Sequence, residues 1–144
     1  MLDLKAYQKG QEEAALKVAK FGGSSLSDAS QFRKVRDIVL ADPARRFVVP
    51  SAPGRRHALD HKVTDLLYLC HTTAAAGRDY DEVFLEIVRR YRGIIDALEL
   101  NINLTPTFAE IREQLESGCS ADYMASRGEY LNGLLLAKYL NFDF

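Results

Sequence analysis

Lys20-Phe21-Gly22-Gly23-Ser24-Ser25 puts a cation, two glycines and two hydroxyls into one short run. That mixture suits a polyphosphate. Glycines let the backbone approach an anion because no Cβ intervenes. Successive N–H groups in such a turn form an anion-binding nest, and a helix beginning beyond it adds its positive dipole end. Lys20 can neutralise a phosphate as a point charge. In a Walker loop the lysine follows the glycines; here it precedes them. The plainer alternatives are a tight Gly-Gly turn and a strand-edge lysine snorkelling to water.

A second group of polar residues lies further on. Ser51-Ala52-Pro53-Gly54 offers a hydroxyl beside a turn pair, which equally suits an ordinary turn. Thr64 falls early in a helical stretch, where its hydroxyl can bond a first-turn backbone group instead of a ligand. Asp122, Ser126, Glu129 and Gly133 share a small polar helix face, while Met124, Leu131 and Leu135 mark the packed stripe. A carboxylate beside glycine and serine can hold an ammonium; a solvated face is the alternative. His57, His61 and His71 have no metal-ligand spacing with one another or with Cys70. No metal site is expected. Arg89-Arg90-Tyr91-Arg92 reads as the solvated side of its helix rather than a nucleic-acid patch.

These groups need a scaffold. The chain has 144 residues, a single-domain length, with 47% hydrophobic and 27% charged residues, as in ordinary globular proteins. A net charge of −1 argues against coating nucleic acid or an anionic membrane. Cys70 and Cys119 form no disulfide framework, and Cys70 falls on an apolar helical face. No run reaches membrane-spanning length, no secretory leader stands out, and a cytoplasmic location is compatible with all of this.

Residues 16–21 read as a strand. Ser27 reads as the cap of a helix to about residue 40, with Phe32, Val35 and Val39 on one face. Residues 47–51 read as a second strand, with Pro50 odd for a buried position. Helical spacing follows over 60–77, 80–98, 105–117 and 121–140, and 141–144 reads as the lead-in to a further strand. Strand–helix–strand–helix order predicts an α/β fold with a parallel sheet. Both strand ends would then lie on one carboxyl edge, where such sheets bind ligands. Two strands are few for a parallel sheet. The helix faces at 63–74 and 84–98 are therefore expected to lack cover, and the chain to associate or be partly disordered.

Four blocks in order resemble the aspartate kinases of the amino acid kinase superfamily. They are Val18-Ala19-Lys20-Phe21-Gly22-Gly23-Ser24-Ser25, Val48-Val49-Pro50-Ser51-Ala52-Pro53-Gly54-Arg55, Lys62-Val63-Thr64-Asp65-Leu66-Leu67 and Ser126-Arg127-Gly128-Glu129-Tyr130-Leu131. The resemblance implies the N-terminal portion of an αβα sandwich, apparently truncated. Residues 1–15 would be an extension, and 16–144 a partial kinase domain lacking its second half and the ACT regulatory domains. It implies transfer of phosphate from ATP, with Mg²⁺, to L-aspartate. The product is 4-phospho-L-aspartate, on the way to lysine, threonine and methionine. Lys20 then matches the catalytic lysine, and Gly22, Gly23, Ser24 and Ser25 the phosphate-binding turn. Ser51, Ala52, Thr64 and Glu129 match the aspartate site. Pro50 and Arg55 depart from the aliphatic residue and lysine common there. Other acceptors, such as glutamate or acetylglutamate, and a non-catalytic interaction module are the alternatives. The complete protein is expected to be a homo-oligomer, and the isolated chain to be inactive.

Overall fold

The computed structural model describes residues 15–144; the extension expected over 1–15 lies almost wholly outside them. Two strands, β1 (Lys17–Phe21) and β2 (Arg45–Pro50), are joined by a 3₁₀ turn (Gly23–Leu26) and helix α1 (Ala29–Leu40). Helices α2 (Val63–Ala75), α3 (Asp81–Ala97), α4 (Thr105–Glu116) and α5 (Ala121–Leu140) follow. The fold is thus mixed α/β, as the element order predicts.

β1 and β2 pair in parallel, with Val18 opposite Phe47, Lys20 opposite Val49 and Phe21 opposite Pro50. Pro50 does no damage to this ladder. Successive N–H groups along a strand point to opposite sides, and the Ser51 N–H donates to the Phe21 carbonyl at 2.9 Å. The missing N–H of Pro50 therefore faces away from β1.

Two helix starts differ from expectation in instructive ways. Asp28, not Ser27, caps α1, accepting from the Gln31 N–H at 3.0 Å. Ser27 is buried and turns back to the Ser24 carbonyl at 3.3 Å. α2 begins at Val63 rather than at residue 60, because Asp60 is held in the preceding loop by arginines. Ser120 caps α5 through the Tyr123 N–H at 3.1 Å. At the other end of α5, Asn141 takes a left-handed conformation, φ 56°, and residues 142–144 are not a strand. Phe144 instead meets the Tyr130 ring edge-on, centroids 5.5 Å apart.

The apolar faces expected to lie bare are covered. Leu66, Leu67 and Cys70 of α2, and Phe84, Ile87, Val88, Tyr91 and Ile94 of α3, are buried in one core with Phe108 and Ile111 of α4 and Leu131 and Leu135 of α5. Helices cover helices here, so two strands are enough. Burial also pushes the Cys70 thiol up to about 12, so it is a packed, inert group. Phe21 and Val48 join that core from one face of the sheet. The other face carries Val18 and Phe47, 69% and 55% exposed.

Candidate functional site

The site begins where both strands end. β1 turns at Gly22, whose carbonyl accepts from the Ser25 N–H at 3.0 Å, closing the 3₁₀ turn. β2 ends at Pro50, and beyond Ser51 the residues Ala52, Pro53 and Gly54 are buried beside that turn. The two turns lie directly on each other: the Gly54 N–H donates to the Gly23 carbonyl at 2.8 Å. A Cβ on Gly23 would stand 2.8 Å from the Ala52 oxygen, and one on Gly54 would stand 2.6 Å from the Gly23 carbonyl carbon. Both residues are thus glycine because backbone meets backbone. Gly22 is different. Nothing lies within 4 Å of where its Cβ would be, so that position is open to an incoming group.

α2 and α5 complete the walls. The Val63 N–H, first in α2, donates to the Pro53 carbonyl at 3.0 Å, which sets Lys62 and Thr64 at the rim. α5 passes close behind Ala52 because Gly128 has no side chain; a Cβ there would come within 2.6 Å of the Ala52 Cβ. The buried Tyr91 hydroxyl donates to the Gly128 carbonyl at 2.8 Å, and Asn132 Nδ2 to the Ser51 carbonyl at 2.6 Å. Asn132 Oδ1 is left buried without a partner, a penalty the helix bears at this contact. Glu129 falls between these two anchors in sequence and lines the cleft.

The result is an open cleft of about 500 Å³. Ser24, Ser51 and Thr64 bring hydroxyls to it, Arg55 and Lys62 bring cations, Glu129 brings a carboxylate, and Gly23, Ala52, Pro53 and Gly54 form the floor. Such a set can hold a zwitterion beside an anion. Glu129 also adds to the burial that lifts the Tyr91 hydroxyl far above its usual range, so Tyr91 stays a neutral donor.

Of the residues singled out from sequence, Gly23, Ser24, Ser51, Ala52, Thr64 and Glu129 line this one cleft. Gly22 and Ser25 belong to the same turn but not to the lining. Lys20 is exposed on the outer face of the sheet, in register with Val49 at the site end of β1. Among the described residues no cluster of His, Cys, Asp and Glu could hold a metal ion.

Sequence reasoning missed the group beneath the floor. Arg90 is buried, not solvated, with its side chain 2% exposed. It meets Asp60 at 2.9 Å, and Arg56 grips the same carboxylate through Nε at 2.7 Å and Nη2 at 2.8 Å. The Arg56 hydrogen bonds, with the charge of Arg90 behind them, outweigh burial and hold the Asp60 carboxyl far below the usual carboxylate range. A signal was available: Ile87, Arg90, Tyr91 and Ile94 share one helix face, at spacings of three and four.

No family model matches the chain. Its sequence is 38% identical over 133 residues to aspartokinase 3 of Bacillus subtilis (strain 168), covering 88% of this chain and 29% of that protein. It is 32% identical over 141 residues to the chloroplastic aspartokinase 1 of Arabidopsis thaliana, covering 86% and 23%. Among solved structures, Clostridium acetobutylicum aspartate kinase matches with a TM-score of 0.85 and 48% identity, over 88% of this chain and 29% of that one. Escherichia coli aspartokinase III in complex with aspartate and ADP matches with a TM-score of 0.70 and 26% identity, with the same coverage. The chain thus spans less than a third of the length of these relatives. The resemblance drawn from the four blocks is borne out: the relatives and the structural neighbours are aspartokinases.

Proposed function

We propose, from the premise that this chain shares sequence and fold with the aspartokinases over most of its length, that its cleft holds the acceptor and phosphate groups of an aspartate kinase reaction. ATP and L-aspartate would give 4-phospho-L-aspartate and ADP, the opening step towards lysine, threonine and methionine in the cytoplasm. The observation that carries this reading is the meeting of Ser51, Thr64 and Glu129 with the Gly23-Ser24 turn in one cleft, although Glu129 lies far away in sequence.

The roles follow from charge. Glu129 takes the acceptor's ammonium, the Ser51 and Thr64 hydroxyls its carboxylates, and Ala52 shapes the wall between them. The turn at Gly22, Gly23, Ser24 and Ser25 receives phosphate oxygens. An acceptor carboxylate is already ionised near neutral pH, so the reaction needs placement and charge neutralisation more than a base. Lys20 lies outside the cleft's lining, at the site end of β1; its role, bringing charge to the transferring phosphoryl group, rests on the block it shares with the aspartate kinases. The cleft's lining holds one carboxylate, Glu129, which is no cage for a hard cation; Mg²⁺ would be held mainly by the phosphates of ATP rather than by these residues.

Residues 16–144 are read as part of one kinase domain, in a protein that assembles as a homo-oligomer. No helix among the described residues is long and apolar enough to cross a membrane. In the protein at the length of its relatives, Glu129→Ala should raise the KM for aspartate far more than that for ATP. A change confined to ATP would overturn the acceptor assignment. Lys20→Ala should lower kcat more than it raises either KM, since a charge aimed at the moving phosphoryl group matters most in the transition state; an unchanged kcat would remove Lys20 from the mechanism. The isolated 144-residue chain should show no appreciable turnover, and rates on the order of 1–100 per second would refute that.

A further inference from the structure

We propose that Arg90 is a positioning residue that locks the Gly23 turn and the 51–62 loop together as one rigid wall of the cleft; this rests on the acceptor reading above and extends it to what keeps that site in shape. Arg90 does not line the cleft. It reaches up from α3 and donates to three separate backbone carbonyls: Gly54 at 2.7 Å and Ser27 at 3.3 Å through Nη2, and His61 at 2.9 Å through Nη1. Ser27 follows directly on the phosphate-side turn. Gly54 and His61 bracket the loop that leads into Lys62 and Thr64.

Gly54 is consequently held at both of its polar groups. Its N–H donates to Gly23 and its carbonyl accepts from Arg90. Asp60 fixes the guanidinium from the loop side, and Arg56 fixes Asp60 in turn, including through its own backbone N–H at 2.9 Å. A planar fork with five donors can serve all of these acceptors at once. A lysine ammonium, with three donors on a single atom, cannot. Backbone carbonyls carry no sequence identity, which is why the arrangement shows only in three dimensions.

Residue-resolved amide hydrogen exchange on the full 144-residue chain tests this, comparing the wild type with Arg90→Lys and Arg90→Met. The expected result in Arg90→Met is a loss of protection at the Gly54 and Val63 amides at least tenfold greater than that at Leu131 and Leu135 of α5, which report the fall in global stability. Arg90→Lys should fall between. Equal protection in variant and wild type at Gly54 and Val63 would overturn the proposal. So would a uniform loss across loop and α5, which would make Arg90 a general stabiliser of the core. Should Arg90→Met not fold, the same comparison in Arg90→Lys decides. Titrating the wild type with aspartate and following the Ser51, Thr64 and Glu129 amides tests the acceptor reading separately: a silent titration sinks that reading, whereas the exchange result speaks for the wall alone.

Discussion

On one side of the sheet, Phe21 and Val48 run into a core where Leu67, Tyr91, Leu131 and Leu135 are fully buried; on the other, the cross-strand neighbours Val18 and Phe47 are 69% and 55% exposed. The contrast separates two uses of apolar residues. All five helices bury one another and need only one face of the strands, so the packed side has its cover without further sheet. The cleft belongs to that side. Its floor rests on Ala52, its back on Gly128 and Asn132, and its underside on Arg90 and Asp60. Every group beneath it is held by packing or by a hydrogen bond, which is what a site that works by placement needs.

If the packed side carries stability, the greatest loss should come from opening its buried ion pair. The Asp60 and Arg90 side chains are 4% and 2% exposed. Asp60→Asn would leave the Arg90 charge without its counter-charge, at a cost of about 3–5 kcal/mol, read from urea unfolding at neutral pH. The pH dependence has a definite sign. The carboxyl is depressed in the folded state, so its contribution is fully present above about pH 4, the unfolded value. It is lost progressively as the pH falls below that. The gap between wild type and Asp60→Asn should therefore narrow in acid. A gap that stayed constant with pH would show that the carboxylate is not what Arg90 needs.

Next in size are changes to packing. Leu131 is fully buried, and Leu131→Ala should cost about 2–5 kcal/mol. Gly128→Ala adds one methyl where the Ala52 Cβ is only 2.6 Å from the new carbon. α5 would have to move away from the floor of the cleft, at about 1–3 kcal/mol. It should also disturb the Tyr91 and Asn132 hydrogen bonds. Equal stability in Gly128→Ala and wild type would mean that α5 is free to slide and does not fix the site.

The same contrast shows what a sequence makes legible. Both strands and the helical stripes follow from local patterning, which burial against a neighbouring element writes into a chain, and the parallel pairing follows from the order of the elements. The convergence of Thr64 and Glu129 on one cleft was legible only through the four-block resemblance; the polar face at Asp122, Ser126 and Glu129 fits a solvated helix equally well. Arg90 was misread because it stands in a run with Arg89 and Arg92, which are exposed. Asp60 stands at the head of the stretch 60–77 whose apolar residues keep helical spacing, yet it lies in the loop before α2. Its partners are arginines four and thirty residues away, and no local pattern carries such a pairing. Cover for α2 and α3 comes from other helices, and a strand count carries no information about that.

The smallest effect should come from the bare face, and it is the sharpest way to break the contrast. Val18, Phe47 and Val49 are 69%, 55% and 47% exposed, so little apolar area leaves water at these positions when the chain folds. Threonine keeps the β-branch that a strand favours, which isolates exposure from strand propensity. Val18→Thr and Val49→Thr should each change unfolding free energy by no more than about 0.5 kcal/mol. Contiguous exposed apolar surface does, however, promote association, and it lies here on a sheet of only two strands. Replacing all three residues by threonine should accordingly leave the urea midpoint nearly unchanged while lowering the weight-average mass in sedimentation at high concentration. A marked fall in the midpoint would mean that this face is buried in the state being unfolded, and the division into a packed side and a bare side would have to be given up.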